Sequence, residues 1–252
     1  MFKITPNTKI VDIIQEEHLI VSVLLRLEIL PGYGDKTIQQ IADETNYDTT
    51  FLTFLISLYL NNNLETLEEY KNIDIELITS FLQKSHNFYK EEKIPQLKQV
   101  FNNMIQQAKA ETNIKVLQYY FDNYLNEFFI HMEYEEKQVF PYAEELSNIL
   151  QNHTISKKFL EGFNTFSVQS YLEQHEEGTQ EKLEDLKNIL LKFVPPLNSY
   201  KEYYDVIDML FSLGKDLNTH MIIENNILVP QLSNMGENVK KLLKENKITL
   251  HP

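Results

Sequence analysis

Apolar residues recur at intervals of three and four along most of this chain, and only six Gly and eight Pro interrupt them. That period lets an α-helix bury one face, and strand-like alternation is scarce, so the sequence predicts an all-α fold. Short helices are expected at about 9–17, 19–30, 37–45 and 49–61, the last capped by Asp48, with PGYGDK from Pro31 as a tight turn. The polar, acidic run NNNLETLEEYKNID then marks a linker (66–75) between a small helical N-terminal domain (1–65) and a second domain (76–235), with a C-terminal tail (236–252) after it. In the second domain four longer patterns run over about 74–107, 113–146, 166–193 and 200–228. Pro95 is expected to kink the first, Pro141 and Pro230 to bend or end the second and fourth, and Pro195-Pro196 to separate the third from the fourth. Four long amphipathic helices with modest connections are the material of a four-helix up-down bundle, a fold that builds metal sites in its interior.

Composition removes several chemistries. The chain has no Cys, which excludes disulfides, thiolate metal sites and a Cys nucleophile. Its net charge is −14, from 37 acidic and 23 basic residues, which argues against a nucleic-acid partner because phosphate binding depends on Lys and Arg. The stretch TIQQIADETNYDTTFL from Thr37 has the look of a helix-turn-helix, but residues 1–65 carry four basic against nine acidic side chains, a balance of −5. The longest apolar run, FLTFLISLYL from Phe51, is about half the ~20 residues needed to span a bilayer, so no membrane association is expected. The N-terminal segment MFKITPNTKIVDIIQEE lacks a basic-then-apolar secretion pattern, which makes the cytoplasm the expected location.

Within this helical frame one pattern is written twice: HMEYEEKQVFP from His131 and HMIIENNILVP from His220. Each has a Glu four residues after the His and a Pro ten residues after it. Residues i and i+4 share a helix face, so His131 points with Glu135 and His220 with Glu224. Behind His131 at steps of three and four lie Phe128, Tyr124, Phe121, Tyr120 and Leu117, and behind His220 lie Leu217, Leu213, Leu210, Met209 and Val206. Both pairs therefore continue apolar stripes and should face the core. A buried carboxylate is costly unless paired or bound to a cation, and no basic residue shares these stripes near the pairs. A single such pair is most simply a core His bonded to a Glu, but repetition with the same spacing favours a shared role.

The other two long helices each supply one inward His. His86 follows Ile75, Ile78, Thr79 and Leu82, and His175 lies between Val168, Tyr171 and Leu172 on one side and Thr179, Leu183 and Leu186 on the other. Four His and two Glu suit iron, manganese or zinc, and carboxylates able to bridge two ions favour a dinuclear site. Six such groups leave octahedral ions with open positions, where O₂, nitric oxide or peroxide can bind. His18, His153 and His251 fall outside the stripes and are expected at the surface. Tyr120, Tyr124, Tyr171 and Glu176 are near enough in helical register to hydrogen-bond a ligating imidazole or a bound oxygen species.

At these residues the chain resembles the hemerythrin-like di-iron proteins, and among them the iron–sulfur cluster repair (RIC) family. HMIIENNILVP resembles that family's fourth-helix signature, HMEYEEKQVFP its second-helix counterpart, EQHEEG its third-helix stretch and SHNFYKEEKIP its first-helix His ahead of a Pro. The resemblance covers roughly residues 73–234. It implies a bundle holding two non-haem irons with an oxo or hydroxo bridge, His86, His131, His175 and His220 as terminal ligands, and Glu135 and Glu224 as bridges. The N-terminal part is similar to the small helical domain that precedes the bundle in those proteins, with one departure: LPGYGDKT stands where the family carries a Cys-Cys-Gly-Gly stretch. Functions that use those thiols are thereby disfavoured, and a docking cap or homodimer contact gains weight for this domain.

Three functional classes follow from the resemblance. The first is repair of client iron–sulfur proteins or defence against nitrosative and oxidative stress, by iron donation or nitric oxide reduction. The second is an O₂ or nitric oxide sensor or carrier without turnover, and the third is iron storage or scavenging. No Walker loop, Gly-x-Ser-x-Gly elbow or dinucleotide fingerprint occurs, which sets aside nucleotide and acyl-transfer chemistry.

Overall fold

The structure, a computed structural model, describes residues 4–61, 73–108, 111–163, 168, 171, 179–194 and 197–251. Almost all of its regular structure is helical, as the apolar period requires. Positions 66–72 of the expected linker lie outside the described residues, as does most of the expected third long helix before Thr179.

Four short helices come first: α1 (Ile10–Glu16), α2 (Leu19–Arg26), α3 (Ile38–Thr45) and α4 (Thr49–Asn61). Helix α2 stops short of the expected Leu30 because Glu28 turns into the left-handed region at φ 62°. The Ile29 N–H then reaches the Leu24 carbonyl (2.9 Å) and the Glu28 N–H the Leu25 carbonyl (2.9 Å), which closes the helix end in a Schellman arrangement. In the following PGYG turn, Gly32 and Gly34 take positive φ. Helix α3 opens with a reciprocal cap between Thr37 and Gln40, and the Asp48 carboxylate accepts from the Phe51 N–H at 2.8 Å at the start of α4, as expected. From Phe51 to Tyr59, α4 is buried almost all round.

The longer elements are α5 (Ile75–Phe88), α6 (Ile94–Gln106), α7 (Glu111–Tyr134), α8 (Phe140–Asn152), α9 (Lys157–Phe163), α10 (Thr179–Phe193), α11 (Lys201–Ile223) and α12 (Val229–Lys244). Two three-residue strands, β1 (Thr154–Ser156) and β2 (Thr249–His251), pair in parallel with Thr154 opposite Thr249. The prolines do not end their helices. Single π-helical turns at Tyr89–Lys93, Glu135–Val139 and Glu224–Leu228 carry α5 into α6, α7 into α8 and α11 into α12. Two of these continuous helices consequently run past their expected ends, to Asn152 and Lys244.

The chain divides into two compact units, one of residues 1–85, 143–163 and 219–252, the other of 86–142 and 164–218. The boundaries fall inside α5, α8 and α11, each of which is a continuous helix. In the first unit, Ile13, Ile20, Val23, Leu24, Phe54, Leu55 and Phe81 are fully or almost fully buried. Buried Arg26 donates there to the Tyr59 hydroxyl and to Ser85 Oγ, each at 3.2 Å, tying α2 to α4 and α5. The second unit is built on Leu97, Phe101, Phe121, Phe128, Leu186 and Leu210, with Phe101 and Phe121 stacked at 3.9 Å between ring centroids. Helices α7 and α10 pack against each other. Among the described residues no helix is long and apolar enough to cross a membrane.

Candidate metal centre

The three π turns share one sequence cause. Each begins six residues before a proline: Tyr89 before Pro95, Glu135 before Pro141 and Glu224 before Pro230. In an α-helix a proline ring clashes with the carbonyl four residues back and lacks the N–H that would bond it. Widening one turn avoids that conflict. The N–H just ahead of each proline bonds five residues back, Ile94 to Tyr89, Phe140 to Glu135 and Val229 to Glu224. The helices thus continue through the prolines by way of inserted residues, and the two Glu of the repeated pattern stand at the first position of a π turn.

Both carboxylates are buried, Glu135 at 0% and Glu224 at 1% exposure, and His86 and His220 are buried with them at 1% and 5%. Each of these four residues offers one ligand atom, and the four atoms all lie within 4.8 Å of one another. His86 Nε2 is 3.2 Å from Glu135 Oε2, and His220 Nε2 is 2.8 Å from Glu224 Oε1. His131 presents Nε2 at 3.3 Å from Glu135 Oε1, with 22% of its side chain exposed, and stands outside the group of four. His175 lies outside the described residues. The structure therefore brings together four of the six residues expected as ligands and sets His131 beside one of them.

The donor set fits a metal ion. It combines two carboxylates and two imidazoles, the hard and intermediate ligands that iron, manganese and zinc accept. It also places two acidic groups where water cannot solvate their charge.

Around this set, the Tyr171 hydroxyl donates to the Glu135 carboxylate at Oε1, 2.6 Å away, rather than to an imidazole. The other tyrosines differ: Tyr120 is 45% exposed, and Tyr124 is buried with no hydrogen-bond partner among the described residues. Glu176 lies outside the described residues. His18, His153 and His251 are exposed.

Two participants were not apparent from spacing. Glu136, next to Glu135, places Oε1 3.0 Å from His86 Nδ1, and Lys90 donates to both Glu136 oxygens at 2.6 and 2.7 Å. The hydrogen bond from His86, together with the Lys90 ammonium, outweighs partial burial and holds the Glu136 carboxyl down at about 2. The doubled Glu in HMEYEEKQVFP was the only trace of this arrangement in the sequence, since the second copy has Asn225 at that place. No protein-family model matches the chain, and no curated protein is significantly similar to it.

Proposed function

We propose that the chain is a hemerythrin-like protein, an up-down four-helix bundle holding two non-haem irons, that serves iron–sulfur cluster repair or the response to nitrosative and oxidative stress. The observation that carries this reading is the buried group of His86, Glu135, His220 and Glu224, with ligand atoms within 4.8 Å. Two carboxylates so shielded from water call for cations, and the imidazoles beside them are ligands for the same ions. His131, whose Nε2 is 3.3 Å from the other oxygen of Glu135, would add a third imidazole. In such a site iron supplies open coordination positions and redox capacity toward O₂ or nitric oxide. The chain's own part is to orient the carboxylates, as Tyr171 does for Glu135, and to exclude water. The chain has no cysteine, so it offers no thiol as an iron carrier toward a client iron–sulfur protein.

The test is metal analysis and optical spectroscopy on protein purified without air, before and after addition of O₂ and then nitric oxide. About two irons per chain, with consumption of nitric oxide under reducing conditions, is the expected result. Reversible O₂ spectra without turnover would favour a sensor or carrier, and iron uptake without a gas response would favour storage. One zinc, or no metal after iron loading, would overturn the di-iron reading. The variant His220→Ala is expected to lose metal, and full iron content in that variant would remove His220 from the site.

A further inference from the structure

Both ring nitrogens of His86 face carboxylates: Nε2 lies 3.2 Å from Glu135 and Nδ1 3.0 Å from Glu136. Consecutive residues on an α-helix diverge by about 100°. Glu135 and Glu136 open a π turn, which spends more residues per turn and so spreads neighbouring side chains less. From this turn the two adjacent carboxylates straddle the same imidazole. Lys90, one helical turn beyond His86, grips both oxygens of Glu136 and keeps it an acceptor. Phe140 lies against the His86 ring, with centroids 5.4 Å apart, and limits its rotation.

We propose that Glu136, clamped by Lys90, is a positioning residue that holds the proton of His86 on Nδ1 and so presents the Nε2 lone pair toward Glu135 and the metal. Histidine ligands commonly carry such a carboxylate on the far nitrogen, where it fixes tautomer and orientation and raises ligand basicity. The consequence for metal affinity rests on the metal-binding reading above, whereas the tautomer does not. At the position of Glu136 the second copy of the repeated pattern carries Asn225.

The experiment pairs two measurements on the full chain. In metal-free protein, above the pH at which histidine becomes neutral, ¹⁵N chemical shifts report which nitrogen of His86 keeps the proton. Glu135 competes for the proton from the Nε2 side; Nδ1–H is expected in wild type and in Glu136→Gln, whose amide oxygen still accepts, and Nε2–H, the form favoured in water and by Glu135, in Glu136→Ala. In the second measurement zinc is titrated into the same proteins, and Glu136→Ala is expected to bind about 10–100-fold more weakly than wild type, with Glu136→Gln in between. Nε2–H in wild type overturns the proposal whatever the metal result, as does unchanged zinc affinity in Glu136→Ala. Wild-type protein that shows Nδ1–H yet binds neither zinc nor iron overturns the metal reading and, with it, the proposed consequence. Glu136 is partly exposed, so its replacement leaves the core intact, and circular dichroism of the variants checks this.

Discussion

Tyr124 has a ring 2% exposed, stacked on Phe128 at 5.9 Å between centroids, and a hydroxyl with no partner among the described residues. A buried hydroxyl left unpaired costs about 1–3 kcal/mol, so Tyr124→Phe is expected to stabilise the protein by about 1 kcal/mol, read from the urea midpoint. Burial also pushes the Tyr124 phenol above its ordinary range. The folded protein then keeps a proton that the unfolded chain releases once pH passes about 10, and stability falls as pH rises from there. The advantage of the Phe variant should therefore widen above pH ~10. Equal stability of the two proteins at all pH values would mean that the hydroxyl is satisfied.

Among elements, the π turns explain how one helix serves two faces. Each inserted residue shifts the following segment by one position, about 100°, relative to an unbroken α-helix, so the segment after a turn can bury a different set of positions from the one before it. Proline is the cause offered for the insertion, and Pro230→Ala tests it. With an N–H restored and the ring removed, the turn at Glu224–Leu228 is free to close into α-helix. Thermal stability is then expected to hold or rise by about 1 kcal/mol, while metal affinity drops at least about tenfold because Glu224 no longer sits at its π position. Retained affinity in Pro230→Ala would show that packing, not proline, sets the turn.

At the scale of the molecule, the buried acidic group makes metal and folding interdependent. The donors come from α5, α11 and the π turns after α7 and α11, so an ion binding them stabilises the folded chain over the unfolded one. At a free metal concentration about 100-fold above Kd this linkage amounts to about 2.7 kcal/mol. In a protein of this length that corresponds to roughly 5–10 °C in Tm. Chelator treatment is expected to lower Tm by that amount in wild type and by nothing in His220→Ala, measured by calorimetry. A Tm indifferent to chelation in wild type would sink the idea that these carboxylates await a cation.

What could be read in the residues alone was local. The spacing of three and four predicts helices, Asp48 predicts a cap, and each His–Glu pair four residues apart shares a face wherever the helix lies, because helical geometry follows from neighbours along the chain. The inward direction of Glu135 and Glu224 was legible for the same reason, from the apolar stripes behind them. The Pro in each repeat was visible, but its result was not, since a kink, a stop and a π turn all relieve the same clash. Which side chains meet across helices was decided by tertiary packing. His86 and Glu136 are 50 residues apart, and no periodicity within one helix sets the distance to another. Packing likewise left His131 partly exposed and turned Tyr120 outward, although both lie on stripes that read as buried. The stripe names a face to within a turn, and only the neighbouring helices determine which members of that face water still reaches.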